Sequence, residues 1–146
     1  MAIPGCPSGT IAVSAAGAGA AAGHSGIVLL FRNASARVCT LGGYPGAALV
    51  SRGGAEVNAV RTPSGYLGGL AAGTAVAPVV RVGPGQTVSA LLEGDDASAD
   101  GGACPLYPDL LVTPPNQTST SHLTHSVALC SPQIHPVVTG TTGRQS

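Results

Sequence analysis

Short aliphatic runs separated by turn residues recur along the whole chain. No stretch keeps apolar residues at positions i, i+3, i+4 and i+7 without an interrupting Gly or Pro, so an amphipathic helix is not favoured. The pattern instead predicts short β-strands bounded by turns. The expected strands cover residues 10–15, 26–32, 47–51, 56–61, 78–82, 86–92, 109–113, 126–130 and 136–139.

Turn residues between these runs support the same fold class. Gly53 and Gly54 join two runs and suit a two-residue hairpin, because both central positions of the favoured turn have positive φ. Short strands without helical crossovers predict an all-β, antiparallel immunoglobulin-like β-sandwich, with a closed barrel as the alternative. Residues 1–140 are expected to form this single domain, and residues 141–146 a flexible C-terminal tail.

The composition argues against several classes of partner. Only 8% of the residues are charged, and all six cations are Arg residues scattered singly along the chain. Because binding to a phosphate backbone needs a basic patch, nucleic acid is not an expected partner. Aromatic residues make up only 3% of the chain, which disfavours proteins that stack sugars or bases.

Four cysteines are present, and none of them has the C-x-x-C spacing of a zinc or redox site: Cys6, Cys39, Cys104 and Cys130. They allow three pairings, of which Cys6 with Cys39 and Cys104 with Cys130 is favoured because it closes one loop in each half of the domain. Reduced thiols in a cytosolic protein are the alternative. Since disulfides persist outside the reducing cytoplasm, the expected location is secreted or in the extracytoplasmic cell envelope.

The N-terminal region contains no obvious membrane segment. Residues 10–22 are rich in Gly and Ala and are shorter than the roughly 20 apolar residues that span a bilayer. Residues 3–6 are similar to a lipoprotein processing site, but no apolar stretch precedes them, so a signal segment is expected to be absent from this sequence. No transmembrane segment is expected in the chain.

Several motifs together resemble an uncharacterised actinobacterial family of exported and lipid-anchored proteins. They are the C-T-L-G-G-Y-P-G block at 39–46, F-R-N-A-S at 31–35, V-G-P-G at 82–85, C-P at 104–105 and L-V-T-P-P-N-Q-T at 111–118. The four cysteines fall on the cysteine positions of that family. The resemblance implies export, two disulfides and a β-sandwich, and it implies no reaction. Residues 16–23 are an insertion that is expected to lengthen the first connection.

Histidines and acidic residues are the candidates for metal ligands. His122 and His125 would point to opposite faces of a strand, so surface positions in a polar loop are expected, and His24 and His135 could join them only if loops brought them together. The acidic loop lacks the order of a known calcium loop and is expected to be solvated; its carboxylates are Asp95, Asp96 and Asp100. No metal and no cofactor is therefore expected.

No catalytic constellation is visible in the sequence. His24 and Ser25 are adjacent, yet neighbouring residues of a strand point apart, and a G-x-S-x-G elbow is missing. We therefore expect no catalytic residues and no enzyme activity. A hydrolase is the third hypothesis, and it would require a fold that brings His24 or His135 together with a Ser and a carboxylate.

The long connection at 62–77 is the one feature that indicates a partner. Tyr66, Leu67 and Leu70 among glycines could form an apolar binding surface, or they could cap the open end of the sandwich. We expect a non-catalytic protein that acts by binding or scaffolding in the cell envelope, with an envelope protein or a lipid as partner. The alternative is a carrier of a lipid or another apolar small molecule, held between the sheets or beneath this connection.

Overall fold

The computed structural model describes residues 2–145, which form strands, turns and loops and contain no helix. The strands are β1 (Ile11–Ala21), β2 (His24–Asn33), β3 (Cys39–Gly42), β4 (Gly46–Val50), β5 (Glu56–Asn58), β6 (Val60–Arg61), β7 (Val79–Val82), β8 (Thr87–Asp95), β9 (Leu106–Thr113), β10 (Ser121–Ala128) and β11 (Cys130–Ile134). Met1 and Ser146 lie outside the described residues.

Two main sheets enclose the core. One has the order β1-β2-β8-β11-β6 and the other the order β10-β9-β4-β5, while β3 and β7 form a separate pair. Side chains from all three meet in one apolar cluster, whose fully buried members include Leu29, Phe31, Leu49, Val82 and Val112. The prediction of an all-β sandwich is confirmed. Its strand pairs are antiparallel except β11 with β6, which run parallel.

Strand β8 is buried on both faces. Val88, Ala90 and Leu92 belong to the core between the sheets, and the alternating Ser89 and Leu91 point outward but are also buried. A second layer must therefore cover the outer face of the five-stranded sheet. Two segments form this layer, residues 62–71 and residues 139–145, whereas residues 135–138 run alongside β8 within the sheet.

The C-terminal segment is bonded to the outer face of β8. The Ser89 hydroxyl donates to the Gly140 carbonyl at 2.8 Å and accepts from the Gly143 N–H at 2.9 Å. The Gln145 N–H donates to the Gly69 carbonyl at 2.8 Å. The sequence predicts a flexible tail at 141–146, whereas residues 141–145 are part of the packed domain.

The first hairpin is longer than predicted. Residues 16–23, expected as a lengthened connection, continue β1 to Ala21 and turn at Ala22 and Gly23, whose φ values are 50° and 83°. Two successive positive φ values match the right-handed twist of a hairpin, which explains the tight turn. A β-bulge between Gly17 and Gly19 interrupts the register with β2.

Both predicted disulfides are present. Cys6–Cys39 ties the N-terminal segment to β3, and Cys104–Cys130 ties the segment before β9 to the start of β11. No cysteine of the described chain is free. Each bond restricts the unfolded chain, and this stabilises a domain whose sequence is rich in glycine.

Removing either disulfide should lower stability by a similar amount. The sequence separations are 33 and 26 residues, so loop-closure entropy gives about 3.5 kcal/mol for each bond. We expect the paired variants Cys6→Ala/Cys39→Ala and Cys104→Ala/Cys130→Ala each to unfold at a lower urea concentration than the oxidised wild type. An unchanged midpoint for either pair would show that its bond does not restrict the unfolded chain.

Candidate functional site on the outer face of the five-stranded sheet

Strand register gathers polar side chains at one end of the outer face. His24 of β2 pairs with Asp95 of β8, and Gln133 of β11 pairs with Glu93 of β8. Because residues two apart on a strand share a face, Glu93 and Asp95 point to the same side as Leu91, away from the core. His135 follows β11 and donates its backbone N–H to the Leu91 carbonyl at 3.0 Å.

Glu93 and His135 form a buried pair at the centre of this region. Their side chains are 3% and 0% exposed, and His135 Nε2 lies 2.8 Å from Glu93 Oε1. The second carboxylate oxygen, Oε2, accepts the Leu67 N–H at 2.6 Å. On the other side of the ring, His135 Nδ1 lies 2.9 Å from the Thr62 carbonyl oxygen. The Thr62 hydroxyl lies 3.0 Å from the same nitrogen, so Thr62 supplies a partner for Nδ1 in either tautomer of the ring.

The hydrogen bonds extend beyond the pair itself. The neighbouring Thr62 hydroxyl donates to Gln133 Oε1 at 3.3 Å. Every buried side-chain nitrogen and oxygen of the described residues has a hydrogen-bond partner. The pair is thus a fully bonded polar cluster that joins β8, β11 and the 62–71 segment.

Glycines allow the 62–71 segment to lie directly on this pair. A Cβ at Gly65 would stand 1.5 Å from Glu93 Oε1 and 2.8 Å from His135 Nε2, so no side chain fits there. Gly69 has a φ of 96°, which other residues adopt at a cost. Gly26 in turn leaves room for Leu67, whose Cδ1 would lie 3.1 Å from an added Cβ.

This anchored loop presents an aromatic ring to solvent. Tyr66 is 61% exposed, and its ring stacks on His24 with centroids 4.4 Å apart and planes 10° from parallel. His24 Nδ1 lies 3.4 Å from Asp95 Oδ1, so the carboxylate holds the imidazole under the tyrosine. Stacking on one face and a bonded backbone on both sides fix the orientation of the Tyr66 ring.

A cavity of about 240 Å³ opens beside the stacked rings. Its lining combines the two rings with hydroxyl, carboxylate and amide groups, which belong to His24, Ser64, Gly65, Tyr66, Glu93, Gly94, Asp95, Ser131 and Gln133. An aromatic surface next to several hydrogen-bonding groups is a typical arrangement for recognising a polar ligand or a peptide group. We call this region the Tyr66 site.

The predicted apolar surface is therefore only partly exposed. Tyr66 is at the surface and Leu67 is half-buried, but Leu70 is 5% exposed and belongs to the interior. Leu70 donates its N–H to the Pro63 carbonyl at 2.9 Å, which closes the loop on itself. Leu70 is thus buried, and the exposed Tyr66 is accompanied by polar groups.

The histidines predicted to lie in a polar loop are on a strand. His122 and His125 belong to β10, and His122 Nε2 lies 3.3 Å from Asp109 Oδ1 of the neighbouring strand β9. His24 and His135 are both on the outer face of the other sheet. Within residues 2–145, no group of three or more His, Cys, Asp or Glu side chains has the geometry to hold a metal ion.

The acidic loop carboxylates are directed to different partners. Asp95 contacts His24, whereas Asp100 accepts hydrogen bonds from the Ser98 hydroxyl and from the Gly102 N–H. The Ser98 hydrogen bond, followed by the one from Gly102, holds the pKa of Asp100 below its usual value. The Asp100 carboxylate therefore stabilises its own turn.

The Tyr66 site contains residue types that a hydrolase would use, but their contacts differ from a catalytic set. Ser64 and Ser131 line the same cavity as His24 and Asp95. His24, however, is occupied by the Tyr66 ring and by Asp95, and His135 is bonded to Glu93 and Thr62. A nucleophile must be hydrogen-bonded to its base, so absence of activity stays our prediction.

Almost the whole domain matches one known protein family. A family model for a domain of unknown function, DUF4232, matches residues 6–142. The chain belongs to the DUF4232 family. The matched range contains both disulfides, the Glu93–His135 pair and Tyr66. No curated protein and no solved structure matches this DUF4232 chain.

The contact of Gly65 with the buried pair can be tested by adding one methyl group. Gly65→Ala in the DUF4232 domain should displace the loop and separate Glu93 from its partners, at a cost of about 3 kcal/mol in unfolding free energy. Gly53→Ala is the matched control, since Gly53 lies in an open turn with its nearest neighbour 4.0 Å away. Its urea midpoint should match wild type. Equal midpoints for both variants would mean that the loop does not rest on the pair.

Two substitutions distinguish the contribution of the Glu93 hydrogen bonds to stability from the contribution of its side-chain volume. Glu93→Ala leaves the Leu67 N–H and His135 Nε2 buried without partners, and we expect a loss of about 3 kcal/mol with faster hydrogen exchange at Leu67. Glu93→Gln keeps an acceptor for the Leu67 N–H and places its amide group beside His135 Nε2, so it should lose less than half as much. Indistinguishable variants would assign the effect to packing alone.

Proposed function

We propose that this DUF4232 domain is a non-catalytic binding protein that works outside the cytoplasm, in the secreted space or the cell envelope, and that it recognises its partner through the Tyr66 site. The observation that carries the proposal is an exposed tyrosine held in a fixed orientation by a buried polar pair. A large aromatic side chain is normally buried, so its exposure on an anchored loop favours a role in contact with a partner.

The extracytoplasmic location rests on the cysteines. All four are paired in two disulfides, a state that the reducing cytoplasm does not maintain. Within residues 2–145, no helix is long and apolar enough to cross a membrane. Oxidised cysteines in protein recovered from outside the cytoplasm, measured by thiol labelling before and after reduction, would support this location.

The binding role rests on preorganisation. Tyr66 is fixed by His24 from below and by the backbone bonds of its neighbours, so little conformational entropy is lost when a ligand covers it. Asp95, Ser131 and Gln133 beside it offer acceptors and donors for a polar group of the partner. We therefore favour a partner with one flat or apolar portion and an adjacent hydrogen-bonding portion, as in an envelope protein.

Tyr66→Ala tests this proposal directly. The purified domain is mixed with isolated envelope fractions of the producing organism, and the bound share is measured at several protein concentrations. Loss of a central aromatic contact costs about 2 kcal/mol or more, so we expect at least about a tenfold drop in affinity. Val79→Ala is the control, because Val79 is 74% exposed on β7 and lies outside the Tyr66 site.

Both variants should retain the wild-type melting temperature, since each truncates an exposed side chain. Val79→Ala should bind like wild type. Equal binding by Tyr66→Ala and wild type would show that the Tyr66 site does not contribute to binding. A general hydrophobic effect would instead weaken both variants.

A carrier of an amphiphile is the second candidate, favoured by a surface groove of about 660 Å³. Val28, Leu67 and Leu91 form apolar parts of its lining, and Arg144 supplies a cation. The space beneath the 62–71 segment is filled by the buried pair and Leu70, so this groove is the place where such a ligand would fit. Organic extraction and mass spectrometry should then detect a bound lipid that Arg144→Gln reduces.

A further inference from the structure

The two main sheets have four edges, and three of them are protected against pairing with another strand. β6 has only two residues and carries Arg61, while β5 has three and carries Glu56. β10 is bulged between Thr124 and Val127. Short length, charge and bulges are the usual means by which proteins prevent edge-to-edge association.

Strand β1 lacks these protections over most of its length. It is the longest strand, with 11 residues, and forms an edge of the five-stranded sheet. Residues 10–23 contain no charged residue and no Pro. Its one bulge lies at Ala18, so the portion from Ile11 to Gly17 keeps a continuous register with β2.

The unpaired backbone groups of β1 can be assigned by alternation. The Asn33 N–H donates to the Gln86 carbonyl, on the side of β2 that faces β8. Because consecutive residues of a strand direct their backbone N–H and C=O groups to opposite sides, those of Arg32 point towards β1. Arg32 pairs with Ala12, which therefore bonds to β2. From Ile11 to Gly17, the odd-numbered residues of β1 direct their N–H and C=O groups away from the sheet. Among the described residues, no strand pairs with this side of β1.

We propose that a second copy of this chain pairs with β1, antiparallel and about a two-fold axis, so that the two five-stranded sheets become continuous. The unpaired N–H and C=O groups along β1 can form hydrogen bonds with the backbone of another extended strand. In a two-fold pair each residue contact occurs twice, and β1 is compatible with itself because it brings no like charges together. Its small outward side chains, such as Ala12 and Ser14, allow close approach of the backbones.

The net charge of the chain favours a copy of the same chain, and the partial burial of the edge favours the addition of a strand. The formal net charge of the whole chain is zero at pH 7, so two copies experience no long-range repulsion. Val13 and Ala15 are only partly buried against the core, and a paired strand would cover the exposed remainder. Pairing thus extends both the hydrogen-bond ladder and the apolar layer.

Proline at an outward-facing position gives a selective test. Ala15→Pro removes an N–H that is free in the monomer, so the fold should be retained while the dimer loses a bond and gains a clash. Ser14→Lys is an independent variant that places two cations near the axis. Ser126→Lys on β10 is the matched control at the edge of the other sheet.

Sedimentation equilibrium from about 1 to 100 µM measures the dimer, with melting temperature as the check on folding. We expect wild type and Ser126→Lys to dimerise, and Ala15→Pro and Ser14→Lys to dimerise at least about tenfold more weakly. Hydrogen exchange should show the Val13 and Ala15 amides protected in wild type at high concentration. A monomeric wild type with fast exchange at both amides would overturn the proposal and leave this edge to a different chain.

Discussion

The hydrogen bond between His135 and Glu93 is the interaction on which the outer half of this domain depends. It lies on the face of β8 that a simple two-layer sandwich would leave in water. Burying both side chains is favourable only because each polar atom is satisfied: Nδ1 by Thr62, Nε2 by Glu93, and the second carboxylate oxygen by the Leu67 N–H. The covering loop and the exposed Tyr66 are positioned by these bonds.

The domain thus has three layers rather than two, and the third consists of irregular chain. Such segments have few apolar residues of their own, so their position must come from hydrogen bonds and close backbone approach. Ser89 bonds the C-terminal segment, Glu93 bonds the 62–71 segment, and glycines at 65 and 143 permit the contacts. A rigid surface loop without secondary structure is a suitable support for a binding residue.

The sequence was informative where one local rule decides the structure. Apolar runs predicted most strands, and chain separation predicted both disulfides. It failed where distant segments meet: the predicted strand at 86–92 ends one residue before Glu93, and residues 141–145 lack any periodic pattern. The only local sign of the buried pair is an acidic residue at an alternate position in β8. Its partner, His135, lies 42 residues away and could not be matched to it by periodicity.

The double burial of β8 also determines how the chain can fold. Its inner face packs on strands of the opposite sheet, and its outer face is covered only when residues 62–71 and residues 139–145 have docked. Contacts between such distant segments give the domain a high contact order, and chains of this kind fold slowly because loop closure precedes the gain in contacts. Residues 139–145 cover the outer face of the central strand β8, so Ser89 and Leu91 of that face stay exposed until this segment has docked.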